Sequence, residues 1–232
     1  MRTVHRTMAV TLTSLLAGAA LAGCGGNGGG PAQKSASDML DEANARMEKL
    51  SSLTIEINNT VGDDRVTWRM TTDLKSRCQV RNTFSRSGTL EQIRIGETDY
   101  VRPDKAYLES WSGNDLGDAE PGVWAKVSVS RSQPGDGLSQ CTRPFESFGT
   151  ATKGEATRIE GREALGLNVT DPADKEGKYS FYVATEGEPH LLKAVYRSGK
   201  QVTTTSFSDF DEPLDIRPPA SADVLEPGGT TE

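Results

Sequence analysis

The sequence is poor in the side chains on which most enzyme chemistry depends. Its 232 residues include 2 histidines, and the one that lies outside the N-terminal segment, His190, follows Pro189 in a predicted turn. A histidine in a turn is more often surface structure than a general base. No Gly-x-Ser-x-Gly motif supplies a hydrolase nucleophile. The sequence therefore indicates a protein that is not an enzyme and that carries no cofactor.

Positive charge is also in deficit. The chain has 26 Lys and Arg residues against 33 Asp and Glu residues, which gives a formal net charge of -7. This balance excludes nucleic acid as a partner and disfavours attraction to anionic lipid by charge alone. The hydrophobic content of 34% and the mean hydropathy of -0.53 are low. Such values favour a sheet with one face in water over a structure buried on both faces.

Long hydrophobic runs are missing, and the one apolar run, at residues 8–22, is shorter than the roughly 20 residues that a transmembrane helix needs. Arg2 and Arg6 precede this run, and Leu21-Ala22-Gly23-Cys24 ends it. This order resembles a bacterial lipoprotein signal with its lipobox. The resemblance implies cleavage before Cys24, acylation of that cysteine, and lipid anchoring on the extracytoplasmic face of the cell membrane. The alternatives are an ordinary secretory signal and an N-terminal transmembrane helix.

Composition divides the chain into four parts. Residues 1–23 are the predicted signal peptide, and residues 24–36 are the lipidated cysteine with a glycine-rich, flexible tether. One folded domain is predicted over residues 37–219, because all-β domains often exceed 200 residues. Pro218 and Pro219 break regular structure, and residues 220–232 are predicted to be a disordered tail. We expect a monomer.

Hydrophobic periodicity predicts an α+β fold that is mostly β, with about 11 strands. Ser37 is predicted to cap a helix over residues 38–49, whose apolar residues form one stripe. Alternating apolar residues at 53–57 and 66–72 predict two half-buried antiparallel strands. A second, short helix is a candidate at 138–148. The remaining predicted strands are 78–84, 89–95, 99–102, 106–109, 123–127, 156–160, 165–170, 178–184, 191–197 and 201–210.

Cys78 and Cys141 are the two cysteines that remain once Cys24 is assigned to lipid. An even pair outside the reducing cytosol is more often a disulfide than a pair of reactive thiols. Two buried free thiols and a metal site are the alternatives. The metal site is disfavoured because two cysteines and one histidine do not complete a zinc cage, and the acidic stretch at 115–120 lacks the ligand spacing of a calcium loop.

Several short phrases follow one another in a recognisable order. They are residues 99–101, 106–108 and 123–127 in the first half, and 161–169, 179–183, 188–193, 205–211 and 218–219 in the second half. This layout resembles the LolA-like and LppX/LprG-like lipoproteins, and the composition resembles that of actinobacterial proteins. The resemblance implies a single, strongly curved antiparallel sheet. Such an open half barrel carries an N-terminal helix and one or more short helices on its concave side.

Carriers of this family use the space between sheet and helices to move lipids or lipoproteins between membranes. Period two places four apolar residues of the first two predicted strands on one face, opposite the stripe of the predicted helix. We predict that these residues line a lipid-sized cavity, the alternative being ordinary packing. The predicted lining residues are Ile55, Ile57, Trp68, Met70, Met47 and Leu50.

The sequence therefore predicts an anchored extracytoplasmic lipoprotein that binds a lipid or another amphiphile and serves in lipid or lipoprotein transport. Two other functions remain open at this point. One is an envelope sensor or regulator that binds a protein partner, as in a related branch of the family. The other is a structural surface lipoprotein whose core is filled by its own side chains.

Overall fold

A single 12-stranded sheet organises the computed structural model, which describes residues 34–110, 120–131 and 137–225. Cys24 and the predicted signal peptide lie outside these residues, as does the end of the predicted tail. Among the described residues no helix has both the length and the apolar character needed to cross a bilayer. The predicted mostly-β fold with a curved, unclosed sheet is confirmed.

The strands pair in the order β12-β6-β5-β4-β3-β2-β1-β11-β10-β9-β8-β7. Their bounds are β1 Leu53–Val61, β2 Asp64–Thr72, β3 Arg77–Phe84, β4 Gly88–Ile95, β5 Thr98–Pro103, β6 Trp124–Ser128, β7 Thr150–Ile159, β8 Arg162–Asp171, β9 Asp174–Ala184, β10 Leu191–Ser198, β11 Gln201–Ser208 and β12 Val224–Leu225. Two antiparallel meanders, β1 to β6 and β7 to β11, meet where β1 pairs with β11. The chain between β6 and β7 must therefore cross from one side of the sheet to the opposite edge.

Helix α1 (Ala36–Met47) begins two residues earlier than predicted, and its cap is Ser35 instead of Ser37. The Oγ of Ser35 accepts a hydrogen bond from the backbone N–H of Asp38 at 3.1 Å, and the Asp38 carboxylate accepts one from the backbone N–H of Ser35 at 3.2 Å. Such a reciprocal pair satisfies two N–H groups and so fixes where a helix starts. The buried side of α1 faces β7, β9 and β10.

The predicted strand at 106–109 is wrong, since these residues lie in helix α2 (Lys105–Ser110). Asp104 precedes this helix, and its side chain accepts a hydrogen bond from the backbone N–H of Tyr107 at 2.7 Å. An aspartate in this position satisfies a free N–H of the first turn and favours a helix over an extended chain. The Tyr107 side chain is fully buried, so a tertiary contact decides the conformation of this short segment.

Residues 137–149, which we call the strap, cross the sheet without regular secondary structure, so the short helix predicted at 138–148 is absent. Pro144 disfavours a helical conformation for Arg143 before it. At the far end Gly149 has a φ of 64°, and a Cβ placed there would lie 2.3 Å from the carbonyl oxygen of Thr170. Only glycine fits that bend, which delivers the chain into β7.

The main core lies between the sheet, α1 and the strap. Its strand residues include Leu53, Met70 and Leu167, which are almost fully buried. The strap contributes Phe145, whose ring lies 6.0 Å from that of Phe207 in an edge-on arrangement. The protein's own side chains thus cover much of the concave face.

Regular structure continues beyond residue 219. Ser221–Asp223 form a 3-10 turn, and β12 pairs in parallel with β6 through Val224 opposite Trp124 and Leu225 opposite Ala125. These residues fall inside the predicted disordered tail of 220–232. A two-residue strand is too short for hydrophobic alternation to reveal it.

Candidate functional site

Four of the predicted cavity residues form two directly opposed pairs on β1 and β2. Ile55 lies opposite Met70, and Ile57 lies opposite Trp68. Side chains that are opposed in an antiparallel ladder point to the same face of the sheet. Ile55 and Met70 belong to the main core under the strap, so all four residues face the concave side.

A pocket of about 350 Å³ lies between this face and the strap. Ile57, Trp68 and Met70 form its sheet wall. Ile57 and Trp68 are only half-buried, so the pocket reaches the surface. Its volume is at the lower end of the range of about 300–1,000 Å³ that is typical of small-molecule sites. The strap residues that complete the lining are Ser139, Gln140, Thr142 and Arg143.

The other three predicted lining residues do not border this pocket. Met47 and Ile55 are fully buried and Leu50 is nearly so, all within the main core. The reason is the position of α1, which packs over β7, β9 and β10 and not over the exposed ends of β1 and β2. The strap, and not the helix, supplies the wall that faces Ile57 and Trp68.

Hydrogen bonds hold Ser139 of the strap to two strands. Its backbone N–H donates to Oε1 of Gln92 at 2.8 Å, and its carbonyl oxygen accepts from Nε2 of Gln92 at 3.1 Å. The indole N–H of Trp68 donates to Oγ of Ser139 at 2.9 Å. These bonds fix the strap over the pocket and set the orientation of the Trp68 ring.

A buried ion pair lies beside this contact. Arg94 and Asp99 are 4% and 0% exposed, and they make two hydrogen bonds of 2.8 Å and 2.6 Å. Arg94 also donates to Oε1 of Gln140 in the strap at 2.7 Å, and Gln92 donates to the Asp99 carboxylate at 2.8 Å. A buried charge must be paired and hydrogen-bonded to be tolerated. This network therefore fixes the strap without leaving a net charge in the core.

The centre of the strap is fixed by Cys141. A disulfide joins it to Cys78 on β3, and its carbonyl oxygen accepts a hydrogen bond of 2.6 Å from Oγ1 of Thr72. Because the disulfide spans 63 positions, it ties a distant segment to the sheet. Cys141 and Ser139 together place the strap directly above the pocket.

Sequence reasoning named Cys141 as a disulfide partner of Cys78 but missed the four strap residues that line the pocket and the buried pair beside it. Irregular segments carry no hydrophobic period, so nothing marked residues 139–143 as a wall. The buried pair did leave a signal, since Gln92 and Arg94 alternate with the apolar Ile93 and Ile95 along β4. Two long polar side chains on the inward face of a strand indicate a buried partner.

A second cavity of about 210 Å³ lies at the other half of the sheet, between β8 and the chain after β11. His190 stands nearby, stacked on Phe210 at 4.2 Å between ring centres. It is 7% exposed, so the expectation of a surface histidine is wrong. Burial, with the positive charges of Arg46 and Arg162, lowers the pKa of His190.

No group of three or more potential metal ligands occurs among the described residues.

Comparison with known proteins identifies the fold of this chain. No protein-family model matches the sequence, and no curated protein matches it. The structure of LprF from Mycobacterium bovis aligns with a TM-score of 0.54 over 80% of this chain and 97% of LprF, at 14% identity. LppX from Mycobacterium tuberculosis, described as a lipoprotein, aligns with a TM-score of 0.50 over 79% of this chain and 100% of LppX, at 15% identity. This chain has the fold of LprF and LppX.

The LppX-like fold agrees with the resemblance found in the sequence, which is confirmed at this level. At this identity the likeness concerns the fold alone, and function must be argued from the site. Within the LppX-like fold of this chain, the strap and α1 divide the concave face between them. The pocket beneath residues 139–143 is the space that neither fills.

Proposed function

We propose that this protein is a lipid-anchored extracytoplasmic lipoprotein that binds the apolar chain of an amphiphile beneath its strap. The observation that carries the proposal is the pocket wall formed by Ile57, Trp68 and Met70. Burial of an apolar chain against such a wall contributes about 25 cal/mol per Å² of surface removed from water, less the costs of association. Binding of this kind needs no covalent chemistry.

The size of the pocket limits how many apolar chains it can hold. At about 350 Å³ it suits one apolar chain and not a bundle of several. A protein that takes one chain at a time and stands on an acylated Cys24 is suited to passing single amphiphiles between membrane layers. The net charge of -7 supports the proposed lipid anchor, because an acidic protein gains little binding free energy from anionic lipid surfaces and needs another means of attachment to a membrane.

A structural role is the second candidate, and the filled main core favours it. Met47, Leu50 and Ile55 were predicted to line the cavity and instead pack against other side chains. On this alternative the space beneath the strap has no occupant, and the protein is a surface lipoprotein with a closed interior.

Native mass spectrometry separates the two functions. The sample is the full chain with Cys24→Ser, which cannot be acylated, produced in an oxidising compartment so that the disulfide can form. Amphiphile binding predicts a co-purifying mass of several hundred daltons that is lost on denaturation. Apo-protein alone, with no uptake of added decyl maltoside, would support the structural role.

The substitution Ile57→Asp tests the pocket directly. A carboxylate on the apolar wall must be desolvated when a chain enters, so we expect the affinity for decyl maltoside to fall by at least about tenfold. Isothermal titration calorimetry measures the affinity, and circular dichroism checks the fold. The domain should stay folded because Ile57 is only half-buried.

Thr60→Asp is the matched control, since Thr60 lies on the same strand and on the opposite face of the sheet. It should bind decyl maltoside as the parent chain does. If Ile57→Asp bound decyl maltoside with unchanged affinity, the pocket would not be the binding site. General unfolding of Ile57→Asp, with Thr60→Asp folded, would mark Ile57 as core.

A further inference from the structure

Two side chains at the mouth of the pocket differ from the rest of its lining. Thr142 and Arg143 are both exposed. Within the described ranges, the Arg143 guanidinium takes part in no hydrogen bond or ion pair, and the Thr142 hydroxyl has no hydrogen-bond partner. Two other polar atoms of the strap lining have partners, because Oγ of Ser139 accepts from Trp68 and Oε1 of Gln140 accepts from Arg94. The mouth therefore presents an unpaired positive charge above an apolar wall.

The backbone on both sides of Arg143 is fixed. Cys141, two residues before it, is buried and tied to β3 by the disulfide. Phe145, two residues after it, is buried against Phe207. Pro144 fixes its own φ and restricts Arg143 to extended conformations. Arg143 is therefore held at the rim of the pocket by its neighbours and needs little ordering of the main chain to meet a ligand.

We propose that the pocket selects amphiphiles with an acidic headgroup, a phosphate or a carboxylate, and that Arg143 binds this headgroup. The inference rests on the proposed function, since the apolar chain of the same molecule lies against Ile57, Trp68 and Met70. A guanidinium presents two parallel N–H groups that match the oxygens of a carboxylate or phosphate. The Thr142 hydroxyl adds a neutral donor beside it.

The recognition is local and not a property of the whole surface. With a net charge of -7 the protein as a whole repels anions at long range. An acidic headgroup is thus selected only once its chain has entered and placed it against Arg143. Because Arg143 is exposed, added salt should weaken the headgroup contribution and leave the contribution of the apolar chain.

The experiment compares three probes by isothermal titration calorimetry on the full chain with Cys24→Ser. The probes are decyl phosphate and decyl maltoside, both below the concentration at which they form micelles, and inorganic phosphate. We expect decyl phosphate to bind about tenfold more tightly than decyl maltoside, which corresponds to about 1.4 kcal/mol. Inorganic phosphate should show no measurable binding, because it lacks the chain.

Variants assign the difference to Arg143. Arg143→Gln should lower the affinity for decyl phosphate about tenfold more than that for decyl maltoside, and Arg143→Lys should recover part of the loss because the charge is kept. Arg197→Gln is the control, since Arg197 is an exposed arginine on β10 that does not line the pocket. It should leave both affinities unchanged.

The failures are distinguishable. If neither decyl compound binds the parent chain, the proposed function fails and the headgroup site fails with it. If both bind and Arg143→Gln weakens them equally, apolar binding stands and the headgroup inference is overturned. Tight binding of inorganic phosphate alone would also overturn the inference, because the anion would then be recognised without a chain.

Discussion

At the scale of single residues, Arg94 and His190 show two ways of burying a basic side chain. Arg94 is charged and has a carboxylate, an amide oxygen and good geometry around it. His190 is stacked on Phe210, and its buried Nε2 has no hydrogen-bond partner among the described residues. An imidazole in such a place is held neutral, because burial penalises its charged form. The protonation of His190 is therefore coupled to folding.

The pH dependence of stability follows from the lowered pKa of His190. In the unfolded chain a histidine takes up its proton near pH 6.5, whereas in the folded protein it does so only at lower pH. The unfolded state therefore binds more protons between these two values. We expect the free energy of unfolding, measured in urea, to be constant above about pH 6.5 and to fall as the pH drops toward the folded pKa.

His190→Gln removes the titrating group and should flatten this part of the profile. Asp211 lies near His190 and does not interfere in this window. Its pKa is lowered because it accepts a backbone hydrogen bond from Ser51 and contacts Arg46, so its contribution to the free energy of unfolding is lost only below about pH 3.8. An unaltered slope below about pH 6.5 in the variant would show that another group is responsible.

At the scale of elements, the strap is an irregular segment that is attached to the sheet along its length. It has no internal hydrogen-bond ladder, and its position depends on three kinds of attachment. These are the disulfide at Cys141, the hydrogen bonds of Ser139, Gln140 and Cys141, and the packing of Phe145. The attachments lie on strands of both meanders, so the strap links the two halves of the sheet.

Removal of the disulfide should loosen this link. For the variant Cys78→Ala/Cys141→Ala we expect the free energy of unfolding to fall by about 4 kcal/mol, because a loop of this length is no longer closed in the unfolded chain. Urea unfolding of the variant, against the parent chain with Cys24→Ser, measures the loss. The affinity for decyl maltoside should fall as well, since the strap is one wall of the pocket.

Reduction of the parent chain is an independent check, and dithiothreitol should bring its stability close to that of the double alanine variant. A loss smaller than about 1 kcal/mol in both experiments would mean that the other attachments suffice to hold the strap.

How far these elements could be predicted depends on whether they carry a period. Ile55 and Ile57 alternate with polar residues along one strand, and Trp68 and Met70 do so along the next. This pattern predicted both strands and the face that the four residues share, as the pairing of β1 with β2 confirms. The strap has no period, so its path and its pocket residues were beyond prediction. The strand β12 was not predicted either, because two residues are too few to show an alternation. In α2 the buried Tyr107 and the capping Asp104 outweighed a weak strand pattern.

At the scale of the whole molecule, the anchor predicted at Cys24 determines where the pocket operates. We expect the chain to fractionate with membranes and to resist extraction by high salt, because the proposed acyl chains would hold it by apolar burial and not by charge. Cys24→Ser should shift it to the soluble fraction. Immunoblotting of the two fractions measures the change.

The double variant Cys78→Ala/Cys141→Ala is the matched control for the anchor, since it removes cysteines and keeps Cys24. It should remain with the membranes. Retention of Cys24→Ser in the membrane fraction after a salt wash would contradict lipidation and favour an uncleaved N-terminal segment.

The pairing of β1 with β11 also has a consequence for biogenesis. Ile57 lies opposite Thr205, so the two central strands of the sheet come from opposite ends of the domain. A chain that leaves an export channel from its N-terminus displays one bare flank of β1 until almost all of it has emerged. Bare strand flanks invite pairing with other chains, and late long-range pairing slows folding. We therefore expect unfinished chains to be prone to pairing with one another until β11 has been synthesised and can cover β1.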